Sequence, residues 1–173
     1  MSFAGVGIAT LVGASVGACR SITSPDQNPA TVAYSDSLNI RLSEFTKDTS
    51  GVYYQDLAVG SGNQAVKGAT LSYYYTGYLA NGRAFGTNAS STSPLTFVLG
   101  NGEVIRGFDR GLLGIRAGGR RRLIIPPSLG YGETSHGTGI PAGSVLVFVV
   151  DVPAVTLPTT TASAAPSSTP PPT

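Results

Sequence analysis

Ser135 and His136 are neighbours in the chain, and a nucleophilic hydrolase pairs these residue types. Adjacent residues on a strand point to opposite faces, and no motif surrounds these two, so they do not describe a catalytic triad. Gly100-Asn101-Gly102 is glycine-rich, but no further Gly follows at the right spacing and no Lys with Ser or Thr completes a phosphate cradle. The nine Asp and Glu residues include no suggestive pair for carboxylate-driven hydrolysis. One Cys and one His cannot complete a four-ligand zinc site, and a lone Cys cannot close an internal disulfide. What remains is an unusual set of Tyr, Phe and Ile residues flanking turns. Its densest part is residues 95–108, LTFVLGNGEVIRGF. Leu95, Phe97 and Leu99 alternate around Thr96 and Val98 as in a strand, Gly100-Asn101-Gly102 turns, and Val104, Ile105 and Phe108 converge just ahead of a short helical piece. Three large apolar groups so spaced can floor a pocket or plug the core of a small sheet. On pattern alone, core filling is the default.

The elements that must position this stretch read mainly as strands. Residues 52–59 form one strand and residues 69–79 a second, with Leu71, Tyr73 and Tyr75 on one face and Ser72, Tyr74 and Thr76 on the other. Asn81-Gly82 is a hairpin-type turn, and Phe85-Gly86-Thr87-Asn88 opens a polar loop that ends at Pro94. Asp109, Arg110, Leu112 and Leu113 continue the helical piece for about two turns at most, too short to stand without docking on a sheet. Residues 120–125 alternate again, and their three arginines read as a solvated edge rather than a nucleic-acid patch. Residues 128–141 form a loop. Residues 145–152 are the most apolar strand, with Leu146, Phe148, Val150 and Val152 facing one way.

The 173 residues suffice for one domain with tails, and 23 glycines point to a β-rich domain with many turns. Only 12% of residues are charged and the net charge is +2, which gives no footprint for nucleic acid. Residues 3–18 are small, apolar and uncharged, a run shorter than the roughly 20 residues a spanning helix needs. It has the character of the apolar region of a secretory signal. It ends in Val16-Gly17-Ala18-Cys19, which resembles the lipobox of bacterial lipoprotein precursors, although no Lys or Arg precedes Cys19. That resemblance implies lipidation of Cys19 and an exported protein anchored in the bacterial cell envelope, on the periplasmic side or the cell surface. The expected organisation is a signal and lipobox segment at 1–19, a flexible tether at 20–49, a domain at 50–155 and a disordered Thr-, Ser- and Pro-rich tail at 156–173. Within the tether, Leu38, Ile40 and Leu42 alternate with polar residues and hint at a strand without an obvious partner.

Tyr75-Thr76-Gly77, Asn81-Gly82, Phe85, Phe97-Val98-Leu99-Gly100, residues 103–108, Leu112, residues 119–126, Tyr131-Gly132, Ile140-Pro141 and Leu146-Val147-Phe148 follow one another at intervals that resemble the FKBP-type peptidyl-prolyl isomerases, the macrolide-binding immunophilins. The resemblance covers residues 51–155. It implies an α+β fold, a twisted antiparallel β-sheet wrapped around one short α-helix. It implies catalytic roles for Tyr75, Phe85, Ile105, Phe108, Tyr131 and Phe148, and substrate contacts from Leu95, Val104, His136 and Ile140. Phe108 stands where the family commonly has Trp, Leu95 where it commonly has an aromatic residue, and Gly86 where it usually has Asp. The implied activity is peptidyl-prolyl cis-trans isomerisation in the folding of envelope or secreted proteins, on proline-containing segments, with macrolides as further ligands and no metal or organic cofactor. The missing carboxylate at Gly86 leaves an alternative: a proline-peptide binding module with little turnover.

Overall fold

The longest ladder joins β3 (Thr70–Leu79) to β7 (Leu146–Thr156), antiparallel along almost their whole lengths. The computed structural model describes residues 28–159, Thr138 excepted. Among these residues β1 (Thr46–Lys47), β2 (Tyr53–Ala58), β4 (Ala84–Thr87), β5 (Leu95–Val98) and β6 (Gly119–Ile125) complete a seven-stranded antiparallel sheet in the order β1-β2-β6-β7-β3-β4. β5 pairs with β3 as well, at residues 70–73, while β4 pairs with it at residues 76–78. The two short strands thus share one edge of β3. Asn88 fills the gap between them: its Oδ1 accepts from Tyr75 N–H at 2.7 Å and its Nδ2 donates to the Tyr73 carbonyl at 3.3 Å. The expected fold class, an antiparallel sheet on one short helix, is the architecture found.

The helix, α1 (Arg106–Gly111), buries Gly107, Phe108 and Gly111. It lies against β6 so closely that a Cβ on Gly107 would overlap Ile125 and one on Gly111 would crowd Leu123. The turn before it is held from both sides. Asp109 Oδ1 accepts from Gly100 N–H at 2.6 Å, and Glu103 accepts from Val98 N–H at 3.3 Å and from Asn101 Nδ2 at 2.7 Å. Gly100 and Gly102 both have positive φ, +83° and +74°, which an L side chain adopts only with strain.

Two layers of apolar side chains sandwich the centre of the sheet. Between sheet and helix lie Leu71, Leu112, Leu123, Ile125, Leu146, Val150 and Val152, all fully buried. Each such side chain contributes about 1.5–3 kcal/mol on leaving water. On the opposite face Ile124, Val145 and Val147 are covered by Leu38, with Val32, Tyr34, Ile40, Leu42 and Phe45 packed around them.

That second layer corrects the expectation of a flexible tether at 20–49. Residues 28–49 form a strap across the back of the sheet. Its Ser35 N–H bonds the Ala80 carbonyl at 2.8 Å, and Arg122 holds the Asn39 carbonyl at 3.0 Å. The strap is not the strand suggested by Leu38, Ile40 and Leu42 either. It makes two short 3-10 turns, Asp36–Leu38 and Leu42–Glu44, the first capped by the Ser35 side chain and ended by Asn39 at φ 46°. The signal and lipobox segment at 1–19 with Cys19, tether residues 20–27 and tail residues 160–173 lie outside the described residues.

Three local expectations also change. Phe85-Gly86-Thr87 lies in strand β4, not a loop, because Gly86 pairs with Gly77 on β3. β7 continues to Thr156, one residue into the expected tail. The arginines of β6 do not mark a solvated edge, since β6 runs between β2 and β7. Arg121 is buried. It makes a bidentate pair with Asp56 at 2.6 and 3.1 Å, donates to the Gly111 and Leu113 carbonyls, and stacks over the Tyr54 ring. Alternation shows which residues share a face, not whether that face is covered.

Candidate functional site

A cavity of about 360 Å³ opens between the concave face of the sheet, α1 and the loop after β6. β3 supplies Tyr73 and Tyr75, β4 Phe85, β5 Leu95, the turn before α1 Glu103, Val104 and Ile105, α1 Phe108, the loop Tyr131 and β7 Phe148. Long-range packing brings these residues together from six places in the chain. The same sheet that closes the core also sets the cavity walls.

Phe108 is at the centre of the aromatic set. Its ring lies 5.3 Å from Phe148 in an edge-to-face contact, 5.4 Å from Tyr73 and 6.0 Å from Phe97. Phe148 in turn meets Phe85 edge-on at 5.5 Å and Tyr75 at 6.0 Å. Pairs in this geometry contribute about 0.5–1.5 kcal/mol beyond simple burial, and they fix each ring's tilt. Phe85 and Phe148 close over Gly77, where a Cβ would stand 2.5 Å from the Phe85 ring. A glycine is needed there for the wall to form.

Polar groups are few. Ile105 precedes α1 and its N–H has no acceptor among the described residues. Tyr131 stands on a loop fastened by Gly132 N–H to the Pro127 carbonyl at 2.8 Å and by Gly143 N–H to the Gly132 carbonyl at 2.9 Å. Burial, with a smaller effect from Tyr75, raises the Tyr131 phenol above its ordinary pKa of 10.0. It is therefore a protonated donor at neutral pH. Glu103, the carboxylate in the lining, spends its oxygens on Val98 and Asn101 and does not stand as a free base. Gly86 presents no side chain, and a Cβ there would lie 3.3 Å from the Tyr75 hydroxyl. The site can surround an apolar ring and donate hydrogen bonds to carbonyls. It has no nucleophile with an adjacent base.

Of the residues singled out from the sequence, Tyr75, Phe85, Leu95, Val104, Ile105, Phe108, Tyr131 and Phe148 line this cavity. Two do not. Ile140 is buried in the core beneath it. His136 is exposed and stacks face to face on Tyr131 at 4.2 Å, so it supports a wall residue from outside. The two residues pair across a short hairpin, exchanging backbone hydrogen bonds of 2.9 and 3.3 Å. Sequence reasoning missed Tyr73 and Glu103 as lining residues. Tyr73 shares a strand face with Tyr75, and that alternation was the signal for it. Glu103 carried none.

A family model described as FKBP-type peptidyl-prolyl cis-trans isomerase matches residues 61–153. An FK506-binding protein of Neisseria meningitidis serogroup B is 42% identical over 102 residues, a match that covers 59% of this chain and 94% of that protein. The crystal structure of AtFKBP13 superposes with a TM-score of 0.60 at 38% identity, over 64% of this chain and 98% of that one. The crystal structure of FkpA from Escherichia coli superposes with a TM-score of 0.60 at 32% identity, over 70% and 55% of the two chains.

Proposed function

The chain belongs to the FKBP-type peptidyl-prolyl cis-trans isomerase family, and on that premise we propose that its cavity seats the prolyl ring of a peptide on Phe108 and lets the preceding amide rotate. The enzyme class needs no covalent step. The barrier is the resonance of the X-Pro amide, about 18–20 kcal/mol, and unaided exchange takes tens to hundreds of seconds. At the twisted transition state that resonance is broken and the amide is less dipolar. An apolar enclosure therefore holds it better, relative to the planar ground state, than water does. Tyr131 Oη and Ile105 N–H donate to the carbonyls flanking the proline and fix the peptide on both sides of the rotating bond. Each contributes on the order of 1 kcal/mol.

The observation that carries this reading is the pairing of an aromatic floor with two donors unengaged by the described residues, on opposite elements. Exchange NMR on an Ala-Pro peptide tests it. Acceleration at sub-stoichiometric protein is expected; binding in the cavity without acceleration favours the slower-turnover binding module that Gly86 brings into view. Relatives named as FK506-binding proteins support macrolides as competitors for the same cavity.

We also infer that the protein acts in the bacterial cell envelope, anchored through lipidated Cys19, on segments of exported proteins that are still folding. The support is the apolar run ending in Val16-Gly17-Ala18-Cys19. Palmitate labelling of the wild type and of Cys19→Ala decides it: label only in the wild type supports the anchor, and equal labelling in both overturns it.

A further inference from the structure

Of the three phenols that line the cavity, Tyr73 is the buried one, and it packs against the Phe108 floor. It is 8% exposed, packed between Phe97 and Phe108 with both ring centres at 5.4 Å, and stands across from Leu95 on the neighbouring strand. Its hydroxyl has no hydrogen-bond partner among the described residues, yet no fully enclosed side-chain oxygen or nitrogen there lacks a partner. The Tyr73 oxygen is therefore not sealed in the core but opens to the cavity that the residue lines. A lone polar atom in an apolar floor gives little to a plain prolyl ring and leaves its own hydrogen bond unused when that ring displaces water. A ring that carries its own hydrogen-bonding group restores the bond. Discrimination of this kind is largest where a buried polar group would otherwise be left unpaired.

We propose that Tyr73 is a specificity-determining residue that favours prolyl rings bearing a hydrogen-bonding substituent on the γ carbon, with 4-hydroxyproline as the substrate class. This rests on the reading that the prolyl ring lies on Phe108, since only a ring seated there brings its γ carbon to the floor. Burial raises the Tyr73 phenol above its ordinary value, so it remains a protonated donor across the working pH range.

The test measures kcat/KM by exchange NMR for Ala-Pro and for both C4 epimers of Ala-hydroxyproline peptides, with the wild type and Tyr73→Phe. The readout is the hydroxyproline-to-proline ratio, in which the substrates' intrinsic rates cancel between the two proteins. For at least one epimer the ratio is expected to be roughly fivefold higher in the wild type, the factor that one neutral hydrogen bond supplies. Equal ratios in both proteins for both epimers overturn the proposal while leaving the prolyl site intact. A wild type that accelerates none of the peptides overturns the site reading and this inference with it. Should Tyr73→Phe fail to fold, NOEs from the Tyr73 ring to the prolyl ring of bound peptide give the answer in the wild type, and their absence in a saturated complex overturns the proposal.

Discussion

A Cβ on Gly107 would stand 2.2 Å from Cγ2 of Ile125. The next turn repeats the relationship, with Gly111 facing Leu123 at 2.7 Å. The two glycines are four residues apart, so α1 presents a bare strip to β6 and approaches closer than any side chain allows. Phe108, beside Gly107, owes its height in the cavity floor to that approach. Gly107→Ala gains up to about 1 kcal/mol in helix propensity, but overpacking costs about 1–3 kcal/mol and should prevail. Urea denaturation is expected to show a lower midpoint, and peptide titration a weaker affinity because Phe108 is lifted with the helix. A variant as stable and as tight as the wild type would mean the helix shifts freely on the sheet.

Arg121 fastens the other end of the same helix. It holds the Gly111 and Leu113 carbonyls while its guanidinium pairs with Asp56. Asp56 keeps 35% of its side-chain surface exposed, so water takes up its charge once Arg121 is gone. What Arg121→Ala strands is the buried Gly111 carbonyl, and urea unfolding should show a loss of about 1–3 kcal/mol. Arg121→Lys should recover only part of it, since an ammonium cannot span Asp56 bidentately and reach two carbonyls.

Phe108→Ala should abolish turnover and cavity binding together. Tyr131→Phe keeps the ring against His136 and removes the hydroxyl, so it should lower kcat/KM by roughly fivefold without lowering stability. Exchange NMR and peptide titration measure both. Unchanged binding in Phe108→Ala would place the substrate elsewhere.

Gly86→Asp tests the bare position on β4. The Cβ would lie 3.3 Å from the Tyr75 hydroxyl, so the carboxylate can reach that phenol, and Gly86 does not have the positive φ that would exclude a side chain. A severalfold gain in kcat/KM is expected from ordering Tyr75. No gain would show that the missing carboxylate does not limit this enzyme.

Alkaline pH should destabilise the fold. Burial raises the folded-state pKa of Tyr73 and Tyr131 above 10.0, their ordinary value. A raised pKa means the neutral form is favoured in the folded protein, so its stabilising contribution is complete below the unfolded value near 10.0 and is lost as pH climbs through the folded values. Thermal melts should fall in Tm above about pH 10. Phenolate absorbance should show late-titrating groups, one of which disappears in Tyr73→Phe.

Part of the site was legible because a strand's period is two. Alternation put Tyr75 with Tyr73 on one strand face and Phe148 with Leu146 on another, but only the resemblance joined Tyr75, Phe85, Ile105, Tyr131 and Phe148 into one cavity. The strap was not legible. Its 3-10 turns lack a sustained period, so Leu38, Ile40 and Leu42 mimicked a strand while serving as a cover. Arg121 was misread for a related reason: its charge suggested an edge, and only the distant Asp56 makes a central position tolerable. Ile140 and His136 fall outside the lining: Ile140 packs into the core, and His136 stacks on Tyr131.

The strap has a consequence for how the molecule breathes. Strands β6 and β7 are sealed on one face by residues 28–45 and on the other by the core under α1. Their amides should exchange with solvent only on global unfolding. β4 and β5, which carry Phe85 and Leu95, each pair with β3 alone and can open by local fluctuations of far lower free energy. Hydrogen-exchange protection should therefore split the cavity into a slow half, behind Phe148, and a fast half, behind Phe85 and Leu95. A wall that opens independently of its frame lets bulky peptide flanks enter and leave while the ring under Phe148 stays put.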